Sequence, residues 1–485
     1  MSRPQRHRLL QGYPAVPLMR PAVDPTVPPL KTTLRRADGE VRTTGQEVVE
    51  PAWIQFDHTR PLLVGVLPHA QCPPRVKGCG FCTFPHDDYD KQTLVECANW
   101  VDMQIHCFFD EHPELGGRRV DSLYFGGATA NLTPRDQLSM LARTLGEYLD
   151  TTAAEVTLEG LPSLFLSRRT ASLTTLLEIP ARHHRISMGI QTFDTAMLDR
   201  MGRDRLGTRR DIEQLVTVAH QHGCTVSGDL LVNLPAQPRS RILVDVEQAV
   251  ALGLDQICVY HLVLRPGQGT PWSEQPEMIA ALPDLPTACD NWLAVRETLL
   301  GHGYVQTTLT NFERADVHAS DRRFVYEEHG FTPDRYDALG FGPLAITAFG
   351  DWPRRRAIKL LRQKSPSEGL WGSDNLYFAY GEEDLRLLYL TRTLARLEVP
   401  LQTYHDLFGA GLDTHFGDAV HTVVAEGLAT LDARALRLTP RGMFYADSVV
   451  GLLAELRIET LKSRGAGRTT RDLLEQPMIV LNHMG

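Results

Sequence analysis

The sequence predicts an α/β protein whose core is an open or partial (β/α)6 barrel. Two observations carry that expectation. From Leu62 onward, short apolar runs alternate with amphipathic helical stretches, the pattern of βα units on a mostly parallel sheet. Polar residues able to do chemistry recur where those runs end, which is where α/β proteins bind ligands. At 485 residues the chain is long enough for one large domain and one or two smaller ones.

Residues 1–50 are polar, with Pro14, Pro17, Pro21, Pro25, Pro28 and Pro29 followed by Lys31, Arg35, Arg36 and Arg42. They carry no sustained period and read as a flexible arm or lid. The core is expected over 51–379. Its first strand, Leu62–Leu67, leads into a cysteine-bearing loop and a helix around Leu94–Phe109. The second, Asp121–Phe125, runs into Gly126-Gly127-Ala128-Thr129. In the helix that follows, Thr133 is the expected cap, Pro134 the first position, and Leu138, Leu141, Leu145 and Leu149 line one face. Four more strands are expected: Glu155–Leu158 ending at Glu159, Ile186–Ile190 ending at Gln191, Val226–Leu231 containing Asp229, and Gln256–Leu262 with Tyr260 and His261 near its end.

Beyond a loop with Trp272 and a helix around Cys289–Leu300, Gly303–Arg314 is strand-like and Gly340–Gly350 is a glycine-rich segment of close approach. The basic stretch Asp351–Lys364 is expected to be a solvated loop and helix face. Residues 380–458 read as a small helical, winged-helix-like domain, with a Glu382–Leu394 helix and a wing at Leu436–Thr439; 459–485 is a tail.

Composition narrows the function. The chain is 42% hydrophobic and 22% charged, with a formal charge of -9, which argues against a general nucleic-acid binder. No apolar run approaches the roughly 18 residues of a bilayer span, and the N-terminal stretch lacks a signal-peptide core. Eight unevenly spaced cysteines do not resemble a secreted disulfide scaffold, so the cytoplasm is the expected location.

The most informative stretch is Val64–Asp87, VGVLPHAQCPPRVKGCGFCTFPHD. Cys72, Cys79 and Cys82 can converge on one metal centre, iron-sulfur or zinc. Three cysteines on a [4Fe-4S] cluster leave one iron open to a small molecule. Zinc with His69 or His86 as fourth ligand, or a tight turn carrying buried thiols, are the alternatives. Cys97, Cys107, Cys224, Cys258 and Cys289 read as inert core or near-core residues.

In order, CGFCTF (79–84), LYFGGATANL (123–132), TLEGLP (157–162), RISMGIQTFD (185–194), GDLLVNLP (228–235), VYHLVLRPGQGTPW (259–272), GYVQTTLTNFER (303–314) and LGFGPLAITAFG (339–350) resemble the coproporphyrinogen III oxidase-like (HemN/HemW-like) branch of the radical SAM superfamily. The resemblance runs from about Leu62 to Leu456 and implies a partial (β/α)6 radical SAM barrel with a C-terminal helical domain. It implies a [4Fe-4S] cluster on Cys72, Cys79 and Cys82, with Phe81 between the last two. It also implies S-adenosylmethionine (SAM) held near Gly126, Gly127, Glu159, Gln191, Arg203 and Asp229.

Three departures stand out. The family spacing C-x3-C-x2-C is C-x6-C-x2-C here, a loop insertion with little closure cost that makes His69 the rival of Cys72 as first ligand. The GGGTP turn has Ala128 and Ala130 in place of its third glycine and its proline. The fourth cysteine that resembles the oxidases' pattern is replaced by Phe84, which disfavours porphyrinogen decarboxylation.

By resemblance, the expected activity is that of a radical SAM enzyme of specialised metabolism. It cleaves one SAM to a 5'-deoxyadenosyl radical and uses a second for C-methylation or cyclopropane formation on an unsaturated small molecule. Tyr260, His261 and Tyr304 are the candidates for proton handling, and Gln306 and Asn311 for the second SAM or substrate. A flavodoxin- or ferredoxin-like electron donor is implied. The alternatives are a haem-binding, chaperone-like protein and another hydrogen-abstracting oxidoreductase.

Overall fold

The computed structural model describes residues 57–454, apart from 58, 85, 168–169, 363–375 and 381. The arm at 1–50 and the tail at 459–485 lie outside the described residues. The first strand, β1 (Leu62–Val66), is buried along its whole length. It is followed by a loop that contains two short strands, β2 (Gln71–Cys72) and β3 (Asp87–Asp88), paired in parallel with Gln71 opposite Asp87 and Cys72 opposite Asp88. After the Lys91–Glu111 helix come β4 (Val120–Phe125), β5 (Glu155–Gly160), β6 (His183–Gln191), β7 (Thr225–Val232) and β8 (Gln256–His261), with helices between successive strands.

These strands lie side by side in the order β1-β4-β5-β6-β7-β8, all parallel. This is the expected partial barrel. One edge continues into an antiparallel hairpin of β9 (Tyr304–Gln306) and β10 (Asn311–Arg314). On the other side β11 (Asp337–Phe341) runs parallel to β1. It is followed by antiparallel β12 (Ile346–Asp351), β13 (Arg356–Leu361) and β14 (Leu376–Tyr380), completing a 12-stranded sheet. The C-terminal part is helical, with a separate three-stranded wing of β15 (Glu398–Pro400), β16 (Ala429–Leu431) and β17 (Ala435–Leu438).

Period-two alternation explains how the sheet separates two cores. Leu62, Val64 and Val66 of β1 pack with helix residues such as Val101, Ile105, Leu141 and Leu145. Leu63, Leu67 and Tyr124 instead join Tyr326, Trp352 and Tyr389. Each large apolar side chain so buried contributes about 1.5–3 kcal/mol. At the foot of β11 the buried Asp337 carboxylate takes Arg60 Nε at 3.1 Å and Arg118 Nη2 at 2.9 Å, so both charges are paired.

Two local expectations are corrected. The helix after β4 is Arg135–Tyr148 with Pro134 as its N-cap. The Thr133 hydroxyl donates back to the Ala130 carbonyl at 2.7 Å, so it does not cap. The described part of Asp351–Lys364 is sheet with a short turn rather than a solvated face. Buried Asp351 accepts from both Arg354 and Arg356 at 3.1 Å, and buried Arg362 donates to the Gly340 carbonyl.

Candidate metal and cofactor site

The cysteine loop is shaped by three successive residues in the left-handed region: Gly78 (φ 57°), Cys79 (φ 51°) and Gly80 (φ 84°). Only Cys79 carries a Cβ there, a conformation that costs on the order of 1 kcal/mol and tends to occur at functional sites. The turn is closed by Cys79 N–H to the Val76 carbonyl at 3.0 Å and Cys82 N–H to the Gly78 carbonyl at 2.7 Å. From outside, Arg75 N–H reaches the Gly202 carbonyl at 3.1 Å and Trp272 N–H reaches the Gly80 carbonyl at 2.8 Å. The Phe81 and Trp272 rings pack with centroids 5.7 Å apart.

This loop faces the carboxyl ends of β4, β5, β6 and β7 across a pocket. Cys72, Cys79, Cys82, Phe81, Gly127, Glu159, Gln191, Arg203 and Asp229 all line it, together with Thr129 and His86. Gly126 sits just behind: a Cβ there would lie 2.8 Å from Glu159 Oε2. Gln191 has φ 71° where the β6–β7 register shifts, a bulge that re-aims the strand end. The Tyr124 hydroxyl donates to Glu159 Oε2 at 3.4 Å.

Burial raises all three thiol pKa values, Cys72 to about 12, and neighbouring thiolate charges add to the rise for Cys72 and Cys79. Hydrogen bonds oppose it, for Cys82 from the Phe84 backbone. The Cys72 thiol and the Thr129 hydroxyl lie 3.1 Å apart, and Arg203 Nη1 donates to Cys79 Sγ at 3.4 Å. Among the described residues no three His, Cys, Asp or Glu side chains converge on a single-ion position. The three thiols line one pocket.

Other expected residues lie elsewhere. The Tyr304 hydroxyl donates to the Leu254 carbonyl at 2.6 Å, and Gln306 is held between Arg296 and the Thr308 carbonyl; both are on the antiparallel hairpin, away from the strand ends of the pocket. His261 Nδ1 meets Asn233 Nδ2 at 3.0 Å and its ring packs on Phe444 of the helical region. Tyr260 is partly buried against the cluster that contains Leu262, Leu264 and Trp272, and Asn311 bonds Cys258 and Glu327. His69 is also outside the pocket lining.

The residues sequence reasoning passed over are Asn131, Thr129 and Trp272. Asn131 spans the Leu161 backbone, donating to its carbonyl at 2.9 Å and accepting from its N–H at 3.0 Å. Gly160 makes room for it, since a Cβ there would fall 1.9 Å from the carboxamide.

Residues 391–445 match the model of the HemN C-terminal domain. Over 410 residues the chain is 27% identical to the bovine (Bos taurus) radical S-adenosyl methionine domain-containing protein 1, mitochondrial, covering 79% of this chain and 86% of that protein. It is 21% identical over 374 residues to the heme chaperone HemW of Lactococcus lactis, covering 76% and 92%. The structure of the Escherichia coli coproporphyrinogen III oxidase HemN superposes with a TM-score of 0.66 at 19% identity, covering 82% and 90%.

The matches support a radical SAM enzyme of the HemN/HemW-like branch. Similarity to radical SAM proteins implies a [4Fe-4S] cluster and SAM, and the donors present would fit both. Cys72, Cys79 and Cys82 would hold the cluster, while Glu159, Gln191, Arg203 and Asp229 offer hydrogen-bond partners for a zwitterionic nucleoside. Such a cluster supplies the electron that cleaves SAM. This chain's own residues contribute the rest: a left-handed turn presenting Cys79, a guanidinium on its sulfur, and a walled pocket. Among the described residues no helix is long and apolar enough to cross a membrane.

Proposed function

We propose that this protein is a haem-handling radical SAM protein of chaperone-like type, rather than the methyl-transferring or cyclopropane-forming enzyme expected first. The carrying observation is a second pocket, on the barrel side of β1 and β11. Its walls are mostly apolar and aromatic, including Tyr326, Phe331, Tyr336, Trp352 and Tyr380, with His329 and Arg392 among them. His329 stacks on Tyr336 at 4.2 Å, and Arg392, 6.0 Å over the Phe331 ring, has its pKa lowered by burial to about 10 and stays charged at neutral pH. A mostly apolar wall with one imidazole and one guanidinium, its Glu327 and Asp337 carboxylates already paired with Thr308 and Asn311 and with Arg60 and Arg118, suits a planar macrocycle bearing carboxylates.

Two further points favour this reading. Relatives matching over three quarters of the chain include the heme chaperone of Lactococcus lactis. Residues expected to serve a second SAM, Gln306 and Asn311, are committed to other partners. SAM cleavage belongs to the reading, with Cys72, Cys79 and Cys82 as cluster ligands; an electron donor of flavodoxin or ferredoxin type is the partner it needs.

The test is haem titration of the reconstituted full chain, followed by its Soret absorbance. Saturation near one haem per chain is expected, weakened about tenfold in His329→Ala. Absence of saturable binding, together with transfer of labelled methyl from SAM to a small molecule, would restore the methyl-transfer reading.

A further inference from the structure

His86 ends the cysteine loop, and its two ring nitrogens have different surroundings. Nδ1 lies 2.7 Å from the Phe84 carbonyl oxygen. A carbonyl can only accept, so Nδ1 carries the proton and Nε2 is left with a bare lone pair. That Nε2 is buried with no hydrogen-bond partner among the described residues, and the residue is only 8% exposed. Leaving such an acceptor unmet carries the cost of its desolvation. His86 lines the same pocket as the three cysteines.

The ring is held there by its neighbours. A Cβ on Gly78 would lie 2.9 Å from His86 Cε1, 3.6 Å from Nε2 and 3.5 Å from Cys82 Cβ, so imidazole and thiol flank the same glycine. The following residues, Asp87 and Asp88, pair with Gln71 and Cys72. An imidazole whose Nδ1–H is fixed by a carbonyl has the arrangement of a metal-ligating histidine, and histidine nitrogen is an established ligand of iron-sulfur iron.

His69 provides the contrast. It is buried and its Nε2 also lacks a partner, but its Nδ1 accepts the Gln71 N–H at 3.1 Å. Nε2 must then carry the proton, so no lone pair is available there, and His69 does not line the pocket.

We infer that in the SAM-free protein His86 Nε2 ligates the iron that the three cysteines leave open, and that the amino and carboxylate groups of SAM displace it. This rests on the reading that the pocket holds a [4Fe-4S] cluster. The cap shields the open iron from oxidants until SAM arrives. It is exchanged as a ligand, with no change in the cluster's electron count.

The test is pulsed EPR of the reduced, anaerobically reconstituted full chain, prepared unlabelled and with 15N-histidine, alongside iron and sulfide analysis. The expected result is a strong nitrogen coupling that switches to the 15N pattern on labelling and disappears at saturating SAM. His86→Ala should lack it and bind SAM several-fold more tightly, because the competing ligand is gone. The labelled parent protein gives the answer even where the variant folds poorly. About four iron and four sulfide per chain without a histidine coupling overturns His86 ligation while leaving the cluster reading intact. A coupling that survives saturating SAM overturns the displacement. Absence of a cluster overturns both.

Discussion

Arg203 donates from Nη1 to the Cys79 thiol at 3.4 Å while its Nη2 bonds the Gly189 carbonyl, so one guanidinium ties the end of β6 to the cysteine turn. A planar fork can span two acceptors in this way; a lysine ammonium is a single point of charge.

Arg203→Lys should therefore keep the charge and lose the bridge. SAM binding by equilibrium dialysis is expected to weaken by about tenfold, ~1.4 kcal/mol, with iron content unchanged. Loss of iron without a change in SAM affinity would assign Arg203 to the loop alone.

Gly80→Ala tests the contact between the turn and Trp272. The position has φ 84°, and an added Cβ would lie 2.1 Å from Trp272 Nε1. The backbone term is about 1–2 kcal/mol and the overlap about 1–3 kcal/mol more. A lower melting temperature and reduced iron loading are expected. Trp272→Ala in the same chain should recover the overlap but not the backbone term, which a double-mutant cycle resolves.

Asn131→Ala should leave the Leu161 N–H and carbonyl buried without their partner. At about 1–3 kcal/mol for each of the two groups, the expected loss is ~2–6 kcal/mol by urea unfolding. Asn131→Asp keeps the acceptor but places a carboxylate oxygen against the Leu161 carbonyl, so it should not restore stability. Full stability in either variant would show that the backbone pair finds other partners.

Glu327, on the wall of the aromatic pocket, is raised by burial from its ordinary 4.5 to about 7, against the pull of hydrogen bonds from Thr308 and Asn311. Because the folded-state value is the higher one, its contribution to stability is complete below pH 4.5, declines above it and is lost as pH passes 7. The change corresponds to ~3 kcal/mol. Urea unfolding at pH 5 and pH 8 should show Glu327→Gln with a flatter profile than the parent; parallel profiles would remove Glu327 as the titrating group.

The barrel was legible because parallel strands covered on both faces are short apolar runs, and their ends expose whatever polar residue follows. Glu159, Gln191 and Asp229 are such residues, and the fold gathers them around one pocket. Tyr304 and Gln306 also follow an apolar pattern, but they sit on an antiparallel hairpin whose ends do not share the direction of the parallel strands. The basic run after Asp351 looked solvated because pattern alone does not reveal that one buried carboxylate takes two arginines. Asn131 and Trp272 act through approaches between distant parts of the chain, such as the Trp272 indole over Gly80, which no local period encodes. The state of the His86 ring depends on which nitrogen faces a carbonyl, a matter of geometry alone.

The two-rung ladder joining Gln71–Cys72 to Asp87–Asp88 fastens the cysteine loop at both ends with backbone hydrogen bonds. In small zinc modules the metal itself drives folding, so apo chains are unfolded. Here closure is supplied by peptide groups, so folding and the insertion of a cluster would be separate events: the chain would fold first and a cluster would enter a mouth already formed. Stripping the iron with a chelator should then leave a folded protein ready for reloading.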